Sequence, residues 1–391
     1  MISVIQDNNL AQEHIERTGI TVAKKNFFKS LYHFNKRRWA NRNIEDFLLT
    51  PYGLYILGFP MTNYFDRLTC FYIDQKYGPP VQQKMKKGLN ADASIFIPSV
   101  VRMNSCFNFN DIYHDEFLER VCFRCNKEFL MKLNGEYLTH EQCHYHWGKI
   151  ELFKYSCCGG SLNSTGCSIG KLHVWAGYVD GLNGPFGEYV CTTWPEIIPY
   201  DFGVYALDCA MSFTANGQEL TKVIVLRSDG ELIYESFVKP DEEIIDYNSH
   251  ISGVSAEHFS DPNNYKSLRT VQNDLLKFIN CMTILVGYDV SKILRGLKLI
   301  HTRVIDMSIC FKHRDGWASR YSLDDIISNI LSRDRFEKRG NIENLLAIFE
   351  LLMWLSLKYT RKEFLQEFSR ETRQVTMSGD NWLNNPVYHF Y

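Results

Sequence analysis

The 391-residue chain contains no apolar run approaching the length of a membrane span, so no membrane-embedded role is expected of it. It also lacks a signal peptide, since Met1-Ile2-Ser3 leads into polar sequence; this predicts a chain that works inside a cell. Internal repeats, low-complexity tracts and long Gly/Ser linkers are missing too, which excludes solenoids and tethered arrays. Net charge is small, at −2, and excludes a uniformly basic nucleic-acid coat. That figure conceals an asymmetry. The first hundred residues hold thirteen Lys/Arg against eight Asp/Glu, with basic clusters at Lys24-Lys25, Lys36-Arg37-Arg38 and Lys84-Met85-Lys86-Lys87. Each cluster suits weak phosphate contact, a nuclear import signal or simply a solvated helical face.

What is present suffices for two or three packed domains: 45% hydrophobic and 14% aromatic residues. Residues 1–115 form the first region, with helical spacing over 15–50 (Ile20, Phe27, Phe28, Leu31, Phe34) broken at Pro51 and Gly53. A Cys/His-rich segment follows over 116–180. From about 200 to 360 the texture changes to strands. Val204–Leu207, Lys222–Leu226 and Leu232–Val238 alternate as an antiparallel set, the last two joined by a turn at Ser228-Asp229-Gly230. Helical patterns are predicted at 265–280, 290–298, 322–332 and 341–358, with a buried strand at 283–287. Strands giving way to strand–helix alternation indicate an α/β fold, a mixed sheet flanked by helices. Residues 361–391 read as a polar tail.

Twelve cysteines in an intracellular chain point to metal before disulfides. Eight ligand candidates cluster: Cys122, Cys125, Cys143, His146, Cys157, Cys158, Cys167 and His173. Their spacing is C-x2-C, seventeen residues, C-x2-H, ten residues, C-C, eight residues, C, five residues, H. Zinc takes about four such ligands in a tetrahedron, so six Cys and two His suit two closed, structural sites. Spacing leaves open which ligands share an ion. Cys70, Cys106, Cys191, Cys209, Cys281 and Cys310 stand apart, mostly in apolar surroundings, as small core residues. His140 and His144 are read as surface histidines. Trp147 and Trp175 are candidate anchors for a partner, or packing around the metal. The runs Cys143-His144-Tyr145-His146-Trp147-Gly148, Tyr155-Ser156-Cys157-Cys158-Gly159-Gly160 and Lys171-Leu172-His173-Val174 resemble a CHORD zinc module. They are still more similar to the Cys/His-rich region that precedes the nuclease in the GOR-antigen branch of RNA exonucleases.

Further along, three segments carry a second resemblance. They are Ala206-Leu207-Asp208-Cys209-Ala210-Met211 with Gly217–Val223, then Phe237–Asp241 with Ile245–Asn248 and Ile251–Val254, then Leu297–His301 with Val304–Ser308. Together they are similar to the DEDDh-type RNA exonucleases of the same branch, over about Tyr205 to Tyr359. The resemblance implies a ribonuclease-H-like fold. It also implies four carboxylates holding two magnesium ions and a histidine activating the attacking water. Transferred onto this chain, the first acid is Asp208 and the second falls on Ala210. The third lies in a Gly-His-Ser-x-x-x-Asp stretch that here reads Gly287-Tyr288-Asp289-Val290-Ser291-Lys292-Ile293, so its place is held by Ile293. The final His-x4-Asp reads Arg339-Gly340-Asn341-Ile342-Glu343-Asn344, giving Arg339 for the base and Asn344 for the last acid. Asp306 matches a position to which no catalytic role is given.

With one of the five catalytic positions retained, the sequence predicts a pseudo-exonuclease: two structural zinc ions, no bound magnesium, and action through RNA or a protein partner. Arg339 and Lys292 would place fixed positive charge where acids and metal stood, in position to grip a phosphate. Two alternatives stay open. One is a working 3′-to-5′ exoribonuclease with an unusual metal site; the other is an adaptor that works through the zinc module. The resemblance implies a nuclear location.

Overall fold

The computed structural model describes residues 44–62, 69–73, 117–132, 134–148, 150–151, 153–178, 181–199, 202–311, 313, 320–334 and 340–359. Its centre is a six-stranded mixed sheet. The strands are β1 (Val204–Thr214), β2 (Gly217–Arg227), β3 (Leu232–Lys239), β4 (Tyr265–Ser267), β5 (Ile284–Gly287) and β6 (Val304–Asp306), in the spatial order β4-β3-β2-β1-β5-β6. The pairs β1–β2 and β2–β3 are antiparallel, whereas β1–β5, β5–β6 and β3–β4 run parallel. An antiparallel meander continued by parallel strands is the ribonuclease-H-like topology expected from the sequence.

Alternation along β1 explains the layering. Leu207 and Met211 face one way and join Val223, Val225 and Leu285 beneath two helices, α1 (Leu268–Leu275) and α2 (Val290–Gly296). Ala206 faces the other way, with Ile224, Leu226, Val286 and Ile305, beneath α3 (Leu323–Leu331) and α4 (Asn341–Lys358). Helix α4 lies deepest, with Leu345, Leu351, Leu352 and Leu355 all but inaccessible to solvent. Each such leucine contributes about 1.5–3 kcal/mol through the water it escapes. Ser322 begins α3 by accepting from Asp325 N–H, while Asp325 reaches back to Ser322: a reciprocal cap.

Residues 265–280 differ from the sequence expectation. The segment opens as the edge strand β4, and helix starts only after Ser267, whose hydroxyl accepts from Thr270 N–H as an N-cap. Three residues of strand are too few to show a period of two. Within the first region, residues 15–43 of the expected helix lie outside the described residues, as does the 361–391 tail. The described part is drawn into the nuclease-like core: Leu49, Leu54, Leu57 and Phe59 pack with Leu207 and Leu294, and Arg295 Nη1 donates to Gly58 O at 2.6 Å.

The Cys/His module docks on the tip of the β1–β2 hairpin. Arg124 grips both oxygens of Asp246 at 2.7 Å each, and Trp175 Nε1 donates to Ala215 O at 2.8 Å. Phe213 of β1 enters the module's apolar cluster beside Phe129, Met131 and Val174. Burial pushes the Asp246 carboxyl up, but Arg124 outweighs it and holds the group below its ordinary value. Gly217 allows the closest approach. A Cβ there would lie 2.1 Å from Gly177 Cα, and both glycines have φ near or above +90°. Among the described residues, no helix is long and apolar enough to cross a membrane.

Candidate functional site: two Cys/His clusters and the Asp208 cleft

The eight Cys/His candidates separate into two groups, each with its ligand atoms within 4.8 Å of one another: Cys122, Cys125, Cys143 and His173, and His146, Cys157, Cys158 and Cys167. Spacing had left this partition open, and folding resolves it by nesting. All four residues of the second group lie in sequence between Cys143 and His173 of the first. In the first group Cys122 Sγ is 3.7 Å from Cys143 Sγ, and Cys125 Sγ is 3.3 Å from His173 Nδ1. In the second, His146 Nδ1 is 3.5 Å from Cys157 Sγ and 3.4 Å from Cys158 Sγ, while Cys167 Sγ is 3.4 Å from Cys157 Sγ. A tetrahedron with metal–sulfur bonds of about 2.3 Å and metal–nitrogen bonds of about 2.0 Å has edges of about 3.5–3.8 Å. Both groups therefore have the size to hold a metal ion.

Outer contacts orient the ligands. His173 Nε2 meets Glu141 Oε1 at 3.0 Å, and His146 Nε2 meets Ser164 O at 3.3 Å, so each histidine turns Nδ1 inward. Arg124 N–H and Gly160 N–H point at Cys122 Sγ and Cys158 Sγ. The first group is largely buried in the module's core, whereas Cys158 and Cys167 are exposed. His140 and His144 are exposed, as expected. Cys191 is exposed rather than a core residue, and Cys106 lies outside the described residues.

Asp208 sits mid-strand on the face of β1 that looks toward α4. Its Oδ2 accepts from Asn341 Nδ2 at 2.9 Å and its Oδ1 from Cys209 N–H at 2.8 Å. Burial raises its pKa, against the lowering effect of these hydrogen bonds and of Lys222. Ala210, two residues on, shares that face, is buried, and pairs across the ladder with Lys222. Ile293 lies in the apolar cluster beneath the other face, 3% exposed, beside Gly287 where β5 pairs with Leu207. Asn344 follows Asn341 by three residues on the same face of α4; its Oδ1 is buried and has no hydrogen-bond partner. Lys292 is partly exposed, and its charge acts on the buried Cys209 thiol alongside those of Asp208 and Asp289. Arg339 lies outside the described residues.

Other acids near the cleft are engaged elsewhere. Glu343 accepts from Gly340 N–H and closes the start of α4. Asp289 accepts from Ser291 Oγ, with Arg320 Nη1 at 3.9 Å. Glu235 shares the sheet face of Asp208, across Ile224 and about 10 Å away by strand spacing, and is tied to Lys222 at 2.7 Å. Asp306 is fully buried and accepts from Asp289 N–H, Val290 N–H, Ser308 N–H and Ser308 Oγ. Among the described residues no three His, Cys, Asp or Glu side chains gather around Asp208. Sequence reasoning missed Asn341. Its one signal was its place at the first position of a helix opened by Gly340. Trp175 proves to be a strut between the module and the hairpin, with Arg120 stacked over its ring at 3.9 Å.

No family model matches the chain. It is 35% identical over 246 residues to the RNA exonuclease 1 homolog of Homo sapiens, a span covering 60% of this chain and 20% of that protein. Identity to exonuclease GOR of Pan troglodytes is also 35% over 246 residues, covering 60% and 35%. RNA exonuclease 3 of Candida albicans matches at 29% over 236 residues, covering 56% and 54%. The match thus spans from one-fifth to about half the length of these relatives. Among solved structures, the Pan2 catalytic unit of Neurospora crassa aligns over 50% of this chain and 33% of that one, at 20% identity and a TM-score of 0.36, too low to bear on function.

Proposed function

This chain belongs to the family that includes the RNA exonuclease 1 homolog, exonuclease GOR and RNA exonuclease 3, and we propose that it keeps their RNA-binding scaffold without their hydrolytic reaction. One observation carries the proposal: the carboxylate of Asp208 is tied to the Asn341 amide, and among the described residues no cluster of three or more acidic, Cys or His side chains forms around it. Two-metal hydrolysis needs a pair of cations about 4 Å apart, and magnesium demands some six hard oxygens in an octahedron. Here Asp208 Oδ2 faces an N–H donor, Ala210 offers no oxygen, Ile293 is sealed in carbon and Asn344 contributes one neutral oxygen. Lys222 brings positive charge to Asp208, and Lys292 brings it to the neighbouring Cys209 thiol. That set does not fit two magnesium ions. It favours a phosphate held directly, through Lys292 and Arg339.

Both Cys/His groups are assigned zinc, as closed sites that brace the module and leave no position for chemistry. Nuclear residence belongs to the same proposal and is checked by imaging the tagged chain.

The test is to incubate the purified chain with end-labelled single-stranded RNA and Mg²⁺ or Mn²⁺. Intact RNA is expected in both. Shortening products that disappear in Asp208→Ala would restore the working exonuclease. RNA retention on a filter, weakened by Lys292→Ala, is the positive arm; no retention at any salt would sink the RNA-binding role and leave the zinc-module adaptor.

A further inference from the structure

Among the described residues, Trp147 is a large aromatic both pinned and open between the second Cys/His group and the nuclease-like domain. It follows the ligand His146 and precedes Gly148, where a Cβ would lie 2.3 Å from Cys157 N, so the backbone is fixed on both sides by the metal-binding loop. Its ring lies flat on His250 of the nuclease-like domain, with centroids 4.9 Å apart and planes 5° apart. One face of the ring lies against the imidazole, and the residue is 39% exposed.

The position of that face is set by β1. Phe213 N–H donates to Asp246 O at 2.8 Å and Ser212 Oγ to Tyr247 O at 3.1 Å, which sews the segment leading to His250 onto the strand that carries Asp208. Ser212 is four residues beyond Asp208, about 13 Å along the strand. The segment that carries the Trp147–His250 stack is therefore anchored toward the far end of the strand that carries Asp208. The charge of the surrounding loop suits a polyanion. Between Gln142 and His173 the only acid is Glu151, against Lys149, Lys154 and Lys171. Lys154 and Lys171 are exposed.

We infer that the outer face of Trp147 is a stacking platform for an unpaired base of single-stranded RNA, which makes the zinc module part of the RNA-binding surface. The inference rests on the RNA-binding role proposed above. Every base has a π-face, so such a platform adds affinity without demanding a sequence. A rigid indole is suited to it because little ring freedom is lost on binding; the His250 stack and the metal loop have already removed it.

The test uses the full chain with its zinc and a fluorescently labelled single-stranded RNA, followed by anisotropy across a salt series. Trp147→Ala is expected to weaken binding about 5- to 150-fold, the range for loss of one aromatic–base stack. Trp147→Phe should recover most of that loss. Because the indole neutralises no phosphate, the slope of log affinity against log salt should be unchanged in Trp147→Ala, whereas Lys292→Ala should make it shallower by about one. A zinc content equal to wild type shows that the loop has kept its shape. If wild type and Trp147→Ala bind RNA equally, the platform is refuted while the RNA-binding role survives, and the face belongs to a protein contact or to none. The platform also falls if Trp147→Phe is as weak as Trp147→Ala. Absence of RNA binding by the wild type refutes both.

Discussion

Replacing Asp208 separates a metal ligand from a structural strut. In the structure its carboxylate receives the Asn341 amide at the first turn of α4, the most deeply buried helix. Asp208→Ala removes the acceptor and leaves the Asn341 N–H, and that of Cys209, without a partner in a partly buried site. One such orphaned donor costs about 1–3 kcal/mol. For a domain of this size each kcal/mol moves the thermal midpoint by about 2–4 °C, so about 2 kcal/mol lowers it by about 4–8 °C. Asp208→Asn should behave differently. It keeps one carbonyl oxygen, enough for the Asn341 amide but not for the Cys209 N–H as well, and removes a charge that burial disfavours. The sign follows from the raised pKa: the folded chain prefers the neutral acid, so the ionised form costs stability at neutral pH, and that cost fades as pH falls through the folded pKa. Asp208→Asn is therefore expected to be more stable than Asp208→Ala at pH 7, with the part of that advantage due to the removed charge shrinking on acidification.

Differential scanning fluorimetry of the three proteins, with and without millimolar Mg²⁺, is the assay. A metal that binds the folded state alone must raise the midpoint in proportion to its occupancy. No shift is expected here. A Mg²⁺-dependent rise in wild type that both variants lose would show that the carboxylate still serves a metal, and a fall in Asp208→Asn as deep as in Asp208→Ala would refute the strut.

Metal analysis should find about two zinc ions per chain. Cys157→Ser should lower this to about one with the module still docked through Trp175 and Arg124, while Cys122→Ser should also loosen the buried cluster around Phe129 and Phe213. Retention of both ions in either variant would refute the nested partition. A second expectation concerns His301, whose imidazole is pressed by burial to about 4 and whose Nε2 donates to Thr283 O at 2.9 Å. An unfolded histidine titrates near 6.5, so between those values the unfolded chain takes a proton that the folded one refuses. Stability should then fall as pH drops from about 6.5 to about 4, by up to ~3 kcal/mol, with no contribution to the slope above that window. Urea midpoints for wild type and His301→Gln check it; parallel pH profiles would refute it.

The central sheet and α4 were legible in the sequence because their signals are local. Alternation marks β1 to β3, and an uninterrupted apolar face marks Asn341–Lys358. Even so, β1 runs seven residues past the predicted end at Leu207. Asp208 interrupts the apolar alternation without interrupting the ladder, since strand pairing is made by backbone groups. The eight Cys/His ligands were legible as types and spacings. Their partition was not, because nesting depends on the 143–145 and 168–170 strands folding back on each other. Burial of Leu49, Leu54 and Phe59 against β1 is a non-local contact across some 150 residues of chain, and no window of sequence contains it. Asn341 escaped notice for a related reason: its role exists only once α4 is laid across Asp208.

Asp208 and Asp306 show why the fold outlasts the acid set implied by resemblance. Asp306 accepts from three backbone N–H groups, of Asp289, Val290 and Ser308, and so fixes the start of α2 and of the turn after β6. Losing it would orphan buried main-chain donors whose partners no other side chain could replace, at about 1–3 kcal/mol each. The positions now held by Ala210, Ile293 and Asn344 have no such backbone duty. An acid there serves only a cation, and its removal relieves mutual repulsion and the cost of burying charge. Where no cation is held, a neutral side chain at those places favours folding, and carbon can fill the volume, as Ile293 does in the cluster with Leu207 and Leu294. Asp208 falls between the two cases. It binds one backbone N–H and one amide, which is reason enough for a carboxylate at this position beside Ala210 and Asn344.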